Sequence, residues 1–245
     1  MKLTNFIFLI IVFFFTGCTL NDKSNSFLNS ENEYNKAVEL YESENFSKAL
    51  DKFKYIVSNN PGSLISMKAQ FYLAQSLYRL ERYDDASSEY DRYILVSQNP
   101  EKVEEAKYYI CKCFVNMSSD YNRDQQASKV ALDRLQFFVE QYPTSIYNKD
   151  CENQINIIRQ KLAKKEFESG KLYMRMEEFE PAILYFKLIV ENYYDTDYYD
   201  RSLINIVLSY IMLEKHNEAE SFLKLNENEF LLKENYLIAK NLLKK

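Results

Sequence analysis

A small residue recurs along this chain with an aromatic residue or leucine four places on and another apolar residue three places beyond that. Ala49, Phe53 and Ile56 form one copy; Ala86, Tyr90 and Tyr93 a second; Ala131, Leu135 and Phe138 a third; Ala182, Phe186 and Ile189 a fourth; Ala219 and Leu223 a weak fifth. Offsets of four and seven put such side chains on one face of a helix. Twelve, nine and three places ahead of the small residue a second pattern repeats. It gives Ala37, Leu40 and Phe46, then Ala74, Leu77 and Tyr83, then Gly170, Tyr173 and Phe179, then Val207, Tyr210 and His216. Helix pairs with a small residue at their contact, aromatics wedged between them and a proline (Pro61, Pro100, Pro143) closing the second helix make the tetratricopeptide (TPR) pattern. The expected fold is all-α: a TPR-like α-solenoid of about five helix-turn-helix repeats with a C-terminal capping helix.

Local chemistry sets the expected boundaries. Asn59-Asn60-Pro61-Gly62-Ser63 stops one helix and restarts the next. Residues 118–125, Ser-Ser-Asp-Tyr-Asn-Arg-Asp-Gln, interrupt the third repeat as a loop. From Ile146 to Met176 the only breaker is Gly170, which predicts one helix of about 30 residues. Gly170 falls at a repeat position that is normally small, so close packing explains it better than a helix end. Pro181 falls in a first helical turn, where its missing N–H costs little. The stretch from Glu229 to Leu243, with Phe230, Leu231, Leu237, Ile238 and Leu242, predicts the capping helix. The expected segments are residues 31–143 for repeats one to three and 144–245 for the long helix, repeats four and five and the cap.

Composition narrows the function. Of 245 residues, three are glycine and one is histidine. So few glycines cannot supply a β-sandwich's turns or a glycine-rich phosphate loop. One histidine rules out a His-rich metal site and leaves any Ser-His-Asp triad dependent on His216. His216 has no matched nucleophile and stands at a substituted aromatic position. Paired carboxylates such as Glu104-Glu105 and Glu177-Glu178 fit solvated helix faces or caps. A net charge of −5 gives no reason to expect nucleic acid. These features describe a protein with no catalytic residues, no metal and no cofactor beyond a covalent lipid.

That lipid is expected at the N-terminus. Lys2 precedes an unbroken apolar run from Phe6 to Phe15, which as a helix reaches only ~15 Å and is too short to span a bilayer. The run suits a signal-peptide core. Thr16-Gly17-Cys18 follows, and small residues directly before a cysteine resemble the lipobox of bacterial lipoproteins. That resemblance implies residues 1–17 as signal peptide, cleavage before Cys18 and acylation of Cys18. Thr19 as the next residue implies the outer membrane, with the body on the periplasmic face. Residues 18–30 are expected as a lipidated flexible tether. The remaining Cys111, Cys113 and Cys151 are expected as small buried apolar residues.

Together these features resemble the BamD family of outer-membrane assembly lipoproteins. Tyr34 to Ala49 looks like that family's first repeat, and Ala69 to Ala74 with Tyr83 to Ala86 its second. The 118–125 loop, Gln141 to Ser145, Leu162 to Phe167, Gly170 to Met174 and Phe179 to Ala182 are similar to its later features. Tyr193-Tyr194-Asp195-Thr196 lacks the proline usual in the family at that point. The resemblance implies a non-catalytic subunit of the machinery that assembles β-barrel proteins in the outer membrane. It implies unfolded barrel-protein segments and the periplasmic domains of a BamA-type subunit as partners. The repeat register puts Tyr34, Val38, Tyr41, Phe71, Gln75, Tyr78 and Arg79 on a peptide groove, where Arg79 could meet a carboxylate. The same side chains could instead pack between neighbouring helices. Tyr193, Tyr194, Tyr198, Tyr199 and Arg201 are the expected partner-docking surface. The alternative is a periplasmic TPR lipoprotein that scaffolds cell-envelope or peptidoglycan machinery.

Overall fold

The structure, a computed structural model, describes residues 19–244, with side chains from residue 29. The expected signal peptide and Cys18 lie outside the described residues. Among the described residues there are eleven helices and no strand. In chain order they are α1 (Thr19–Glu42), α2 (Phe46–Asn59), α3 (Leu64–Arg79), α4 (Tyr83–Val96), α5 (Pro100–Met117) and α6 (Gln126–Gln141). There follow α7 (Asn148–Arg175), α8 (Phe179–Asn192), α9 (Tyr199–Met212), α10 (His216–Leu225) and α11 (Lys233–Leu242). None is long and apolar enough to cross a membrane. The fold is the TPR-like all-α solenoid that the periodicity predicts.

The repeat positions form the core. Ala49, Phe53, Ala86, Tyr90, Ala131, Ala182, Phe186, Ile189 and Ala219 are all fully buried. The small residue lets two helix backbones approach, and the ring one turn on fills the space beside it. The chain divides into two compact units, one ending at Cys113 and one beginning at Phe114, so the division falls inside α5. In the first unit α2 packs on α1 and α3, and α4 on α3. Tyr72 stacks on Phe53 at 5.4 Å between ring centroids, and Tyr90 on Tyr109 at 5.6 Å. In the second unit α7 packs on α6 and α8, α9 on α8 and α10, and α11 on α9.

Four turns share one device. Glu44, Glu81, Glu177 and Glu214 have φ of 60°, 60°, 62° and 58°. Each follows a first helix of a pair and stands two places before the residue that opens the second. The next N–H reaches back five residues: Asn45 to the Leu40 carbonyl at 2.8 Å, Arg82 to Leu77 at 2.9 Å, Glu178 to Tyr173 at 3.0 Å, Lys215 to Tyr210 at 2.9 Å. This is the Schellman arrangement, with glutamate where glycine is usual.

Several boundaries differ from expectation. Residues 19–30, expected as a tether, are helical in α1, and no glycine or proline interrupts the chain between Cys18 and Pro61. Pro100 opens α5 rather than closing α4, which ends at Val96; proline suits a first helical position, where its N–H would be unpaired anyway. The long helix is α7, 28 residues and about 42 Å. Residues 118–125 form the loop between α5 and α6. Gln125 is buried there and donates to the carbonyls of Asp120 and Arg123 while accepting from the Ser128 hydroxyl. The expected capping stretch does not bury all of its apolar residues: Leu231, ahead of α11, and Leu237 and Ile238 within it are exposed. Cys111, Cys113 and Cys151 are buried and unbridged, as expected. Burial, followed by the neighbouring Cys111, pushes the Cys113 thiol up to about 12, which keeps it inert.

Candidate functional site

The first unit holds a groove of about 910 Å³. Tyr34 of α1, Leu64, Lys68, Phe71 and Tyr72 of α3, Tyr93 of α4 and Lys102 of α5 contribute to its walls. Helical spacing produces it: Leu64, Lys68, Phe71 and Tyr72 succeed one another along one side of α3. The Asn99 side chain accepts from the Lys102 N–H at 3.0 Å and so fixes the first turn of α5. That turn carries the Lys102 ammonium to 4.8 Å from the Phe71 ring centroid and 2.7 Å from a Glu105 carboxylate oxygen. Burial is the largest single influence and works against the charge on Lys102, but the Glu105 hydrogen bond and the Glu105 charge, with smaller help from Tyr72 and Tyr93, together raise the ammonium above its ordinary value.

The aromatic wall is continuous. Tyr72 meets Tyr34 edge-on at 6.1 Å and Tyr41 at 5.4 Å, and Phe71 meets Tyr93 at 5.1 Å. Burial, then the neighbouring Tyr72, pushes the Tyr34 hydroxyl up to about 12, so it remains a neutral donor. A groove walled by aromatic rings, with Lys68, Glu101 and Lys102 among its lining, suits an extended peptide carrying aromatic residues and polar or charged groups.

Of the seven expected groove residues, Tyr34 and Phe71 line this cavity. Val38 is half-buried on α1. Gln75 is buried and accepts from the Tyr41 hydroxyl at 3.4 Å. Tyr78 packs between Tyr83 and Tyr109. Arg79 is exposed at the end of α3, 4.3 Å over the Phe46 ring and 3.4 Å from a Glu44 oxygen. Sequence reasoning missed Tyr72 and Lys102. Tyr72 adjoins an identified position, but the repeat spacing does not single it out. Lys102 enters through the first turn of α5, whose start was placed wrongly.

The second unit orders the expected docking residues around α7. Arg159 reaches Asp195 through two nitrogens, at 2.6 to 2.9 Å, and the Asn192 carbonyl at 2.8 Å. Its guanidinium lies 5.5 Å from the Tyr193 ring and 5.8 Å from the Tyr194 ring. Partial burial is the largest single influence and opposes ionisation of Asp195, but the Arg159 hydrogen bonds, a backbone hydrogen bond and the Arg159 charge together hold the carboxyl below its ordinary value. Tyr194 is 62% exposed and Tyr193 half-buried. Arg201 is exposed and lies over the Phe167 and Tyr198 rings. Tyr199 is buried and offers no surface, because it opens α9 on its inward side. Arg159 gave no signal in the sequence, since its partner stands 36 positions away. His216 opens α10 and is exposed. Among the described residues no group of three His, Cys, Asp or Glu side chains could hold a metal.

Comparison with known proteins adds the family. Residues 28–225 match the model of the family described as YfiO, outer membrane lipoprotein. "Outer membrane protein assembly factor BamD" of Rickettsia prowazekii is 27% identical over 91% of this chain and 90% of its own length. The protein of the same name from Buchnera aphidicola is 25% identical over 90% of this chain and 94% of its own. That of Caulobacter vibrioides is 26% identical over 76% of this chain, but the match spans only 61% of that longer protein. The repeat core, the paired-helix fold and a match over four-fifths of the length agree: this chain belongs to the YfiO family of outer membrane lipoproteins.

Proposed function

We propose that this protein is a non-catalytic subunit of the machinery that assembles β-barrel proteins in the outer membrane. The observation that carries the reading is the family match across all the TPR repeats, joined to curated relatives named as assembly factors. Acylated at Cys18, the chain is held at the periplasmic face of the outer membrane. In the first unit the groove between Tyr34, Phe71 and Lys102 takes an extended segment of an unfolded barrel protein. Its aromatic side chains lie against Tyr72 and Tyr93, and a carboxylate meets Lys102 or Lys68. Arg79, engaged with Glu44 and Phe46, stands at the end of α3 and serves a longer segment. In the second unit Tyr193, Tyr194, Tyr198 and Arg201 dock on a BamA-type integral subunit; Arg159 holds the first two tyrosines in place.

The experiment is affinity purification of the tagged full-length chain from detergent-solubilised envelopes. Recovery of an integral barrel protein with periplasmic repeat domains is the expected result. Recovery of peptidoglycan-linked or division proteins alone would overturn the assembly reading and favour a generic envelope scaffold.

A further inference from the structure

A second cavity, of about 490 Å³, adjoins the aromatic groove. It lies where the turn between α2 and α3 meets the end of α4, and Leu64, Met67 and Gln98 line both cavities. Every residue of both belongs to the first unit, which ends at Cys113.

The two cavities differ in character. Tyr34, Phe71, Tyr72 and Tyr93 put four aromatic rings in the walls of the first. The described lining of the second holds no aromatic ring and no carboxylate; Val57, Pro61, Met67 and Val96 give it aliphatic walls. Its polar side chains are engaged within the protein. The Ser63 hydroxyl accepts the Ser66 N–H at 3.0 Å and donates to the Asn60 carbonyl at 2.9 Å. The Gln70 amide donates to the backbone carbonyl and the carboxylate of Glu89, and the Arg92 guanidinium pairs with that same carboxylate at 2.8 Å. A ligand there meets carbon surface, which rewards an apolar side chain and leaves a polar one short of partners.

Gln98 stands between the cavities, exposed in the linker from α4 to α5. Among the described residues, nothing hydrogen-bonds to its backbone N–H, its carbonyl or its side-chain amide. Ser97 before it is extended, with φ −79° and ψ 136°. An extended linker with free main-chain groups offers hydrogen bonds to a peptide that crosses it, while pockets on either side read the side chains.

We propose that the second cavity is an aliphatic subsite of the peptide groove. It takes a leucine-like side chain of the same extended segment whose aromatic side chain occupies the first cavity. The inference rests on the peptide-groove reading and adds to it a requirement for a second residue of different chemistry. Continuity argues for one ligand: the shared wall means that a chain leaving the first cavity past Gln98 enters the second. Leu64, 61% exposed on that wall, is covered by a chain that spans both.

The test uses the full-length chain in lipid nanodiscs and fluorescein-labelled synthetic dodecapeptides of serine and threonine. Each carries one phenylalanine at a fixed position and one leucine moved through the others, and anisotropy reads the affinity. Expected is a leucine position that binds about tenfold tighter than the same peptide with serine there. Val57→Thr together with Val96→Asn keeps side-chain size and should cut that gain to about threefold or less, with the leucine-free peptide unchanged. Photoleucine at the favoured position should crosslink to residues 57–67 or 92–98, and benzoylphenylalanine in place of phenylalanine to α1 or α5. Affinity indifferent to leucine at every position, with the α1 or α5 crosslinks retained, would overturn the second subsite and leave the groove reading standing. A leucine gain that survives the double variant, or photoleucine crosslinks elsewhere, would overturn it as well. No binding by any of the peptides would overturn both readings.

Discussion

Gly170→Ala should destabilise the second unit, although alanine is the better helix former. Gly170 lies inside α7, where exchange for alanine in an open helix gains about 1 kcal/mol. Here the added methyl would sit 2.7 Å from Cε1 and 2.8 Å from Cζ of Phe186. Ordinary carbon contacts fall near ~3.5–4.0 Å, so the ring must retreat by about 1 Å. It has nowhere to go: Phe186 is fully buried, 5.5 Å from the Phe167 ring, among Ala182, Ile189 and Ile206. Overpacking of this kind costs about 1–3 kcal/mol, which offsets or exceeds the propensity gain and leaves a net loss of up to about 2 kcal/mol. For a chain of this size that lowers the thermal midpoint by up to about 8 °C. Urea titration followed by far-ultraviolet circular dichroism measures the loss. Amide exchange across α7 and α8 assigns it to the second unit, which matters because two compact units need not unfold in one step. The same substitution made in a Phe186→Leu background should become neutral or stabilising, a coupling of about 1–2 kcal/mol. A raised midpoint for Gly170→Ala alone would refute the argument.

Four further outcomes are expected. Glu177→Gly should stabilise by about 0.5–1 kcal/mol in the same titration, since a left-handed conformation costs an L-residue more than glycine loses in chain entropy; a lower midpoint would contradict this. Asp200→Ala should release the N–H groups of Leu231 and Leu232, at a local cost of about 2 kcal/mol, seen as roughly thirtyfold faster exchange of those two amides while α7 is unchanged. Asp195 is held below its ordinary value, so its pairing with Arg159 is intact above about pH 4 and is lost as pH falls through the folded value; Asp195→Asn should remove that part of the acid-side loss of stability, and an identical acid profile would count against the pair. Lys102→Glu should weaken binding of a barrel-protein C-terminal peptide by about tenfold at unchanged helicity, and equal affinity would remove the groove assignment.

The helical repeat was legible in the sequence because it rests on local periodicity. Ala49, Phe53 and Ile56 declare a buried face without reference to any other helix, and the same offsets find Ala182, Phe186 and Ile189. Gly170 was legible for the same reason: a small residue at a position where two helices touch. The turn glutamates were not legible: each stands two places before the residue that opens a second helix, but glutamate does not announce a left-handed conformation as glycine does. What only the tertiary structure decided are the pairings between distant segments. The spacing that makes a helix amphipathic does not say which aromatic lines a cavity and which fills a core, so Phe71 and Tyr34 came to the groove while Gln75 and Tyr199 went inside. Arg159 with Asp195, Asp200 with the start of α11, and Lys102 over Phe71 each join residues about 30 or more positions apart. Those contacts arise from how the helices stack, and a one-dimensional pattern holds no record of them.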